Sequence, residues 1–241
     1  MGMMGRMVRV AQPLLRRFDV RLSRWSRSYQ YQRVRYLRDL DLASVVDAGA
    51  NEGQYGAELR ADGYRGRLLS IEPQEVAFGR LSRRSGRDPK WDCIQCGLGA
   101  EDGTATLGVS VNSVSSSLLP ILDSHVEAEA QSRYQNAERI VLRTLDSVVG
   151  EWEERGSPMG LKLDVQGFEA EVLRGAQSTL TGIAFLELEL SLIPLYEGQV
   201  LSDEMIAHLG DLGFCLANMR TGFSDPRTGR VLQFDGIFLR D

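Results

Sequence analysis

The sequence predicts an α/β fold in which a mostly parallel sheet is covered by helices on both faces. Three observations predict it. From residue 44 onward, short β-branched runs alternate with helical patterns, the rhythm of strand-to-helix crossovers. The first run, "SVVDAG", ends on an acid and breaks into glycines, as a strand does when it delivers a ligand-binding turn. The 241 residues are 43% hydrophobic and 25% charged, enough apolar side chain for one substantial core.

Residues 1–40 form a basic arm ahead of the main domain, 41–241. Leu14, Phe18, Leu22, Trp25 and Tyr29 recur at spacings of four, four, three and four, which predicts one amphipathic helix with arginines around its apolar stripe. That stripe is expected to pack on the main domain, with attachment to a membrane surface as the other reading. An Arg-rich, acid-poor start also resembles an organelle transit peptide.

In the main domain, "SVVDAG", "GRLLSIEP" and "WDCIQCGLG" read as the first three strands, with helices over 54–62 and 75–84 between them. "GLKLDV", "IAFLELEL", "FCLANM" and "QFDGIFLR" read as later strands, with helices over about 169–175 and 203–212, each closed by a glycine. Residues 104–145 break the rhythm. "TATLGVSV" reads as an extra strand, "NSVSSSLLP" as a polar loop and 121–137 as a helix, before "RIVLRTLDSVV" returns to the core. The insertion at about 104–140 is a candidate lid, because long loops at strand ends carry function.

Charge is uneven. Net charge is −5, yet residues 1–38 hold ten arginines against one acid, Asp19, and the remaining 18 basic and 32 acidic side chains leave the body at −14. An acidic body argues against a nucleic-acid partner, while the arm suits an anionic surface, that of a membrane or of the acidic body of its own protein. Three cysteines give no disulfide framework. Cys93 and Cys96 form a C-x-x-C within a predicted strand, where they point to opposite faces and cannot share an ion. No run of 18 apolar residues occurs, so the expectation is a cytoplasmic protein, at most peripheral to the inner face of the membrane.

The glycines after the first strand, Gly49, Gly53 and Gly56, are not spaced for a dinucleotide. The second glycine of that pattern comes two residues after the first, so that backbone can touch a pyrophosphate; here Asn51 stands there. A side chain at that place crowds out a diphosphate and leaves room for S-adenosylmethionine, whose amino-acid portion would meet Asp47 and the loop amides. Glu72, at the end of the second strand, is then placed to clasp a ribose diol, or more simply to cap the next helix.

"VVDAGANEGQYGAELRADGYRGRLLSIEP", "NSVSSSLL", "LRTLDSV" and "LKLDVQGFEAEVLRGA", in that order and spacing, resemble the FkbM family of S-adenosylmethionine-dependent methyltransferases over about residues 30–240. The resemblance implies a class I methyltransferase (Rossmann-like) fold, a seven-stranded sheet with one antiparallel strand and a terminal hairpin. It implies O-methylation of hydroxyls on sugars, glycolipids or secondary metabolites. It assigns the methionine end of the cofactor to Asp47, Gly49, Asn51 and Gly53, the ribose to Glu72 and the adenine to the neighbourhood of Gly97 and Leu98.

A hydroxyl acceptor needs a base, or a metal that acidifies it. His125 follows the serine-rich loop and has the pKa range of a base, whereas His208 reads as a helix-surface residue. Asp164 ends the strand "LKLDV" beside the cofactor strand; Lys162, two residues earlier, faces the same way and either holds its charge or meets substrate. Glu169 opens the next helix and complements its positive end or acts directly. Glu187 and Glu189 share one face of "IAFLELEL"; unpaired charges on a buried strand are costly, so at least one is expected to reach the site mouth, and Glu189 joins Asp164, His125 and Lys162 as a candidate catalytic residue. With Asp164 the two could also offer oxygen ligands to Mg²⁺, to which the sequence does not commit. The expected acceptor is a glycosylated small molecule or glycolipid. The alternatives are an NAD(P)-dependent oxidoreductase, opposed by Asn51 and by the lack of a Tyr-x-x-x-Lys pair, and an RNA-binding or RNA-modifying protein, opposed by the acidic body.

Overall fold

The computed structural model describes residues 24–152 and 158–240. In chain order the elements are α1 (Tyr29–Asp39), β1 (Ser44–Ala48), α2 (Gln54–Ala61), β2 (Arg67–Ile71), α3 (Glu75–Ser85), β3 (Trp91–Ile94), β4 (Gly97–Leu98), β5 (Gly103–Ser110) and α4 (Asp123–Ala128). There follow β6 (Tyr134–Arg143), α5 (Leu145–Trp152), β7 (Met159–Leu163), α6 (Glu169–Arg174), β8 (Ile183–Ser191), α7 (Ser202–Asp211), β9 (Phe214–Thr221) and β10 (Gln233–Arg240). Seven strands make one sheet in the order β3-β2-β1-β7-β8-β10-β9. Only β10 runs against its neighbours, and it forms a hairpin with β9. This is the class I methyltransferase sheet, and the order reverses between β1 and β7, where such sheets bind ligands.

Strand alternation divides the core between the two faces. Val45, Leu68 and Phe185 turn toward α1, α2 and α3; Val46, Leu69 and Leu186 turn toward α5, α6 and α7. One row on the α1–α2 face is polar. Ser70, Asp47, Lys162 and Glu187 stand opposite one another across β2, β1, β7 and β8, so negative, positive and negative side chains alternate in register. Ser70 donates to Asp47 (3.2 Å), and Lys162 Nζ lies 3.4 Å from Asp47.

Three expectations need correction. The apolar stripe of the arm does not continue through residue 28. Ser28 is extended (φ −71°, ψ 151°) and its hydroxyl accepts the Tyr31 amide, so α1 starts afresh there. A cap that satisfies a free amide outweighs spacing. Trp25, in a short 3₁₀ turn, is 56% exposed while Tyr29 is buried; Leu14, Phe18 and Leu22 lie outside the described residues.

The run "WDCIQCGLG" is not one strand, because β3 joins the large sheet and β4 a separate three-stranded one ordered β4-β6-β5. "TATLGVSV" also belongs to this small sheet. The predicted 121–137 helix stops at Ala128, and β6 begins at Tyr134. The Ala, Glu and Gln in that stretch favour helix, but antiparallel pairing of β6 along the whole of β5 overrides their propensity.

Candidate active site

The carboxyl ends of β1, β2 and β7 open into a cleft of about 690 Å³, a volume that includes open solvent. Its floor is apolar, with Ile71, Leu98, Leu107 and Ile140. Its polar groups are Asn51, Glu72, Asp164, Gln166 and the loop serines Ser113, Ser116 and Ser117.

The turn after β1 is built for close approach. Gly49 has φ +77°, and a Cβ there would fall 1.8 Å from the Asp164 carbonyl oxygen, so the β1 and β7 turns touch backbone to backbone. Asn51 takes the left-handed conformation (φ +47°) that its short amide tolerates. Its N–H donates to Glu72 (2.8 Å), its Oδ1 accepts from the Glu52 amide (2.9 Å), and its Nδ2 donates to Ser113 (3.2 Å). Asn51 therefore joins the cofactor-type turn to the serine loop.

Glu72 accepts the Asn51 amide on one oxygen and the Gln74 amide on the other, each at 2.8 Å. Burial pushes its pKa up to about 7, against the opposing pull of those two amides. Each oxygen keeps a second lone pair for a hydroxyl. Its bond to the Gln74 amide at the start of α3 fits the helix-cap reading.

Asp164 follows β7 and lines the cleft. Lys162 donates to it (3.1 Å) from behind, and Gln166 donates to its other oxygen (2.7 Å). The two neighbouring acids hold the buried Lys162 in its charged form, well above its ordinary pKa, although burial opposes this. Glu169 is buried and accepts the Val165 and Gly167 amides (3.1 and 3.3 Å), which closes the turn; burial raises its pKa to about 7.

The structure brings Gly49, Asn51, Glu72, Gly97, Leu98 and Asp164 to the cleft wall. Asp47, expected at the methionine end, is fully buried behind the wall in the polar row, where loss of water raises its pKa. Gly53 packs under Leu81 and Trp91 at the start of α2. His125 does not sit over the cleft. It is 3% exposed, edge-on to Tyr196 and beside Phe223, and burial lowers its pKa to about 4. His208 is exposed on α7.

The three acids suggested for Mg²⁺ do not converge. Glu187 accepts hydroxyls from Tyr29 (3.0 Å) and Tyr55 (2.7 Å) under α1 and α2, whereas Glu189 accepts amides from Gln166 (2.9 Å) and Gln233 (2.8 Å). Among the described residues no group of three or more His, Cys, Asp or Glu side chains could hold a metal. In the C-x-x-C pair, Cys96 lines the cleft and Cys93 lies against Ser85.

Sequence reasoning missed Gln166 and Tyr196. The first sits inside the quoted "KLDVQGFE" and was within reach as the one polar side chain between Asp164 and Gly167. The second had no local signal, since its partners lie on other elements.

The family model for the methyltransferase FkbM domain matches residues 47–216. The methyltransferase sdnD of Sordaria araneosa is 30% identical over 159 residues, an alignment that covers 54% of this chain. The chain spans 59% of the length of that curated relative. Among solved structures, a methyltransferase FkbM from Methylobacillus flagellatus KT is 14% identical, with 81% of this chain and 44% of that chain covered and a TM-score of 0.45. Magnesium protoporphyrin IX methyltransferase (ChlM) from Synechocystis PCC 6803, solved with bound S-adenosylmethionine, is 13% identical, with 88% and 78% covered and a TM-score of 0.47.

Proposed function

This chain belongs to the FkbM methyltransferase family, and from that premise we propose that it transfers a methyl group from S-adenosylmethionine to a sugar hydroxyl of a glycolipid or glycosylated metabolite. The lining of the cleft carries the reading. It holds two carboxylates, Glu72 and Asp164, with amides and hydroxyls, and no cationic side chain among the described residues. A diphosphate would meet carboxylates and no cationic side chain in that lining, whereas a ligand with a sulfonium and an ammonium group meets acceptors that suit it. For the same reason a neutral polyol suits the acceptor side better than a phosphorylated one.

When bound, S-adenosylmethionine supplies an electrophilic methyl group. Glu72 would accept the ribose hydroxyls, the Gly49–Asn51 turn would hold the amino-acid end, and Gly97 and Leu98 would border the adenine. An aliphatic hydroxyl is a poor nucleophile until its proton leaves, and in this reading the Asp164 carboxylate would receive it. Lys162 holds Asp164 from behind, and the serine loop would shield the reacting groups from water. The dispersed acids support no role for Mg²⁺ in this reading.

Calorimetry with S-adenosylmethionine, S-adenosylhomocysteine and NAD tests the cofactor class. Binding of the first two without NAD is expected, and preferential NAD binding would overturn it. Incubation with methyl-labelled cofactor and a glycolipid extract, read by mass spectrometry, tests the acceptor. Label found in RNA and absent from the glycolipids would refute that part.

A further inference from the structure

We propose that Gln166 is a positioning residue that ties closure of the serine loop over the cleft to the orientation of the Asp164 carboxylate, an inference that rests on the methyltransferase reading above. Its side chain meets three groups from three parts of the fold. Nε2 donates to Asp164 (2.7 Å) and to Glu189 of β8 (2.9 Å), and Oε1 lies 2.7 Å from the Tyr196 hydroxyl. The orientation of the amide follows from chemistry. Two carboxylates require the donor end, and the remaining oxygen takes the phenol proton. Glu189 is itself fixed by Gln233 (2.8 Å), so the far side of the amide has a rigid anchor.

The backbone is held as firmly. Gln166 has φ +53°, a conformation rare for a side-chain-bearing residue, and it persists where the surroundings over-determine it. Glu169 takes the amides on either side of Gln166, and the Ser117 hydroxyl donates to the Gln166 carbonyl (2.6 Å). Tyr196 lies 3.1 Å from the carbonyl of Ser115 as well, in the same loop. The loop thus reaches Gln166 through Ser117 at its backbone and through Tyr196 at its side chain. No structural need for a charged pair explains the arrangement, because Lys162 already compensates Asp164. What the amide adds is direction, since it pins the carboxylate oxygen that Lys162 does not touch.

Three full-length variants test this. Gln166→Met keeps the length and removes the amide, Tyr196→Phe removes one hydroxyl, and Gln166→Glu is an isostere that donates only when protonated. The groups facing position 166 are Asp164, Glu169, Glu189 and Tyr196, with Lys162 behind Asp164 and Asp235 beside Glu189. A carboxyl placed among these acids takes up a proton readily. Gln166→Met is expected to bind S-adenosylhomocysteine within about threefold of wild type, to exchange the amides of residues 113–119 several-fold faster, and to lose about tenfold to a hundredfold in labelled-methyl transfer to the glycolipid extract. Gln166→Glu is expected to regain transfer as pH falls from 8 to 6, a rescue that a purely structural role would not produce. Tyr196→Phe removes the hydroxyl that joins the loop to Gln166 and leaves the amide's bonds to Asp164 and Glu189 in place, so its exchange decides the matter if Gln166→Met fails to fold. Wild-type loop exchange in Tyr196→Phe, or a pH profile of Gln166→Glu that parallels wild type, overturns the proposal. Absence of S-adenosylhomocysteine binding by the wild-type chain refutes the methyltransferase reading instead, and loop exchange in the unliganded chain still decides the latch.

Discussion

At the end of β2, the Glu72 carboxylate accepts two backbone amides while burial raises its pKa from 4.5 to about 7. A raised carboxyl pKa means that the folded chain holds this proton more tightly than the unfolded chain. The stability it contributes is present in full below pH 4.5 and is lost as pH rises through 7. Glu169, raised to about 7 by the same cause, acts in the same direction. The unliganded protein should therefore melt at a higher temperature at pH 5.5 than at pH 8, and Glu72→Gln should flatten that slope. A ligand diol donates its hydrogens and selects the ionised carboxylate, so affinity for S-adenosylhomocysteine should fall as pH drops below about 7. Calorimetry at pH 6, 7 and 8 checks this, and equal affinity at all three would remove Glu72 from the ribose role. Glu72 was legible in "LSIEP" because its position depends only on where a strand ends. The fate of His125 was not, because Tyr196 and Phe223, which bury it, come from distant segments.

Helix α1 covers the polar row of the sheet, and its own buried cation answers that row. Arg33 is fully buried, 3.1 Å from Glu58, 3.5 Å from Asp62 and 3.8 Å from Glu187, with its guanidinium over the Tyr55 ring. Removal of one partner from a buried charge cluster costs more than the pair contributes, since the other charge stays behind without its compensation. Arg33→Leu should destabilise the fold by about 3 kcal/mol in urea unfolding. A loss under about 0.5 kcal/mol would show that Tyr29 and Tyr55 satisfy Glu187 unaided. At this scale the pattern of β-branched runs revealed the seven strands of the large sheet. It missed the division between β3 and β4, where Gly97 lets β6 come so close that a Cβ would meet Ile140 at 2.6 Å. It also misread β6, whose polar, helix-favouring residues are held extended by a partner strand rather than by their own preferences. Periodicity registers which face of a segment is buried, and β6 buries too little to register.

The arrangement of charge over the whole chain bears on where an acceptor is met. Among the described residues no helix is long and apolar enough to cross a membrane. Residues 1–23 hold five arginines and one acid ahead of a strongly acidic remainder. Near an anionic bilayer each arginine contributes about 1 kcal/mol, screened by salt. The boundary for testing this is set by α1, because Tyr29, Arg33 and Leu37 are buried in the domain and a cut after residue 38 would remove them. A chain that starts at residue 24 should keep its melting temperature within a few degrees, while one that starts at residue 39 should lose cooperative unfolding. On vesicles of phosphatidylserine and phosphatidylcholine, the full chain should sediment in low salt and be released at high salt, and the chain from residue 24 should bind at least tenfold more weakly. Equal binding by the two would show that those arginines do not carry the proposed membrane contact.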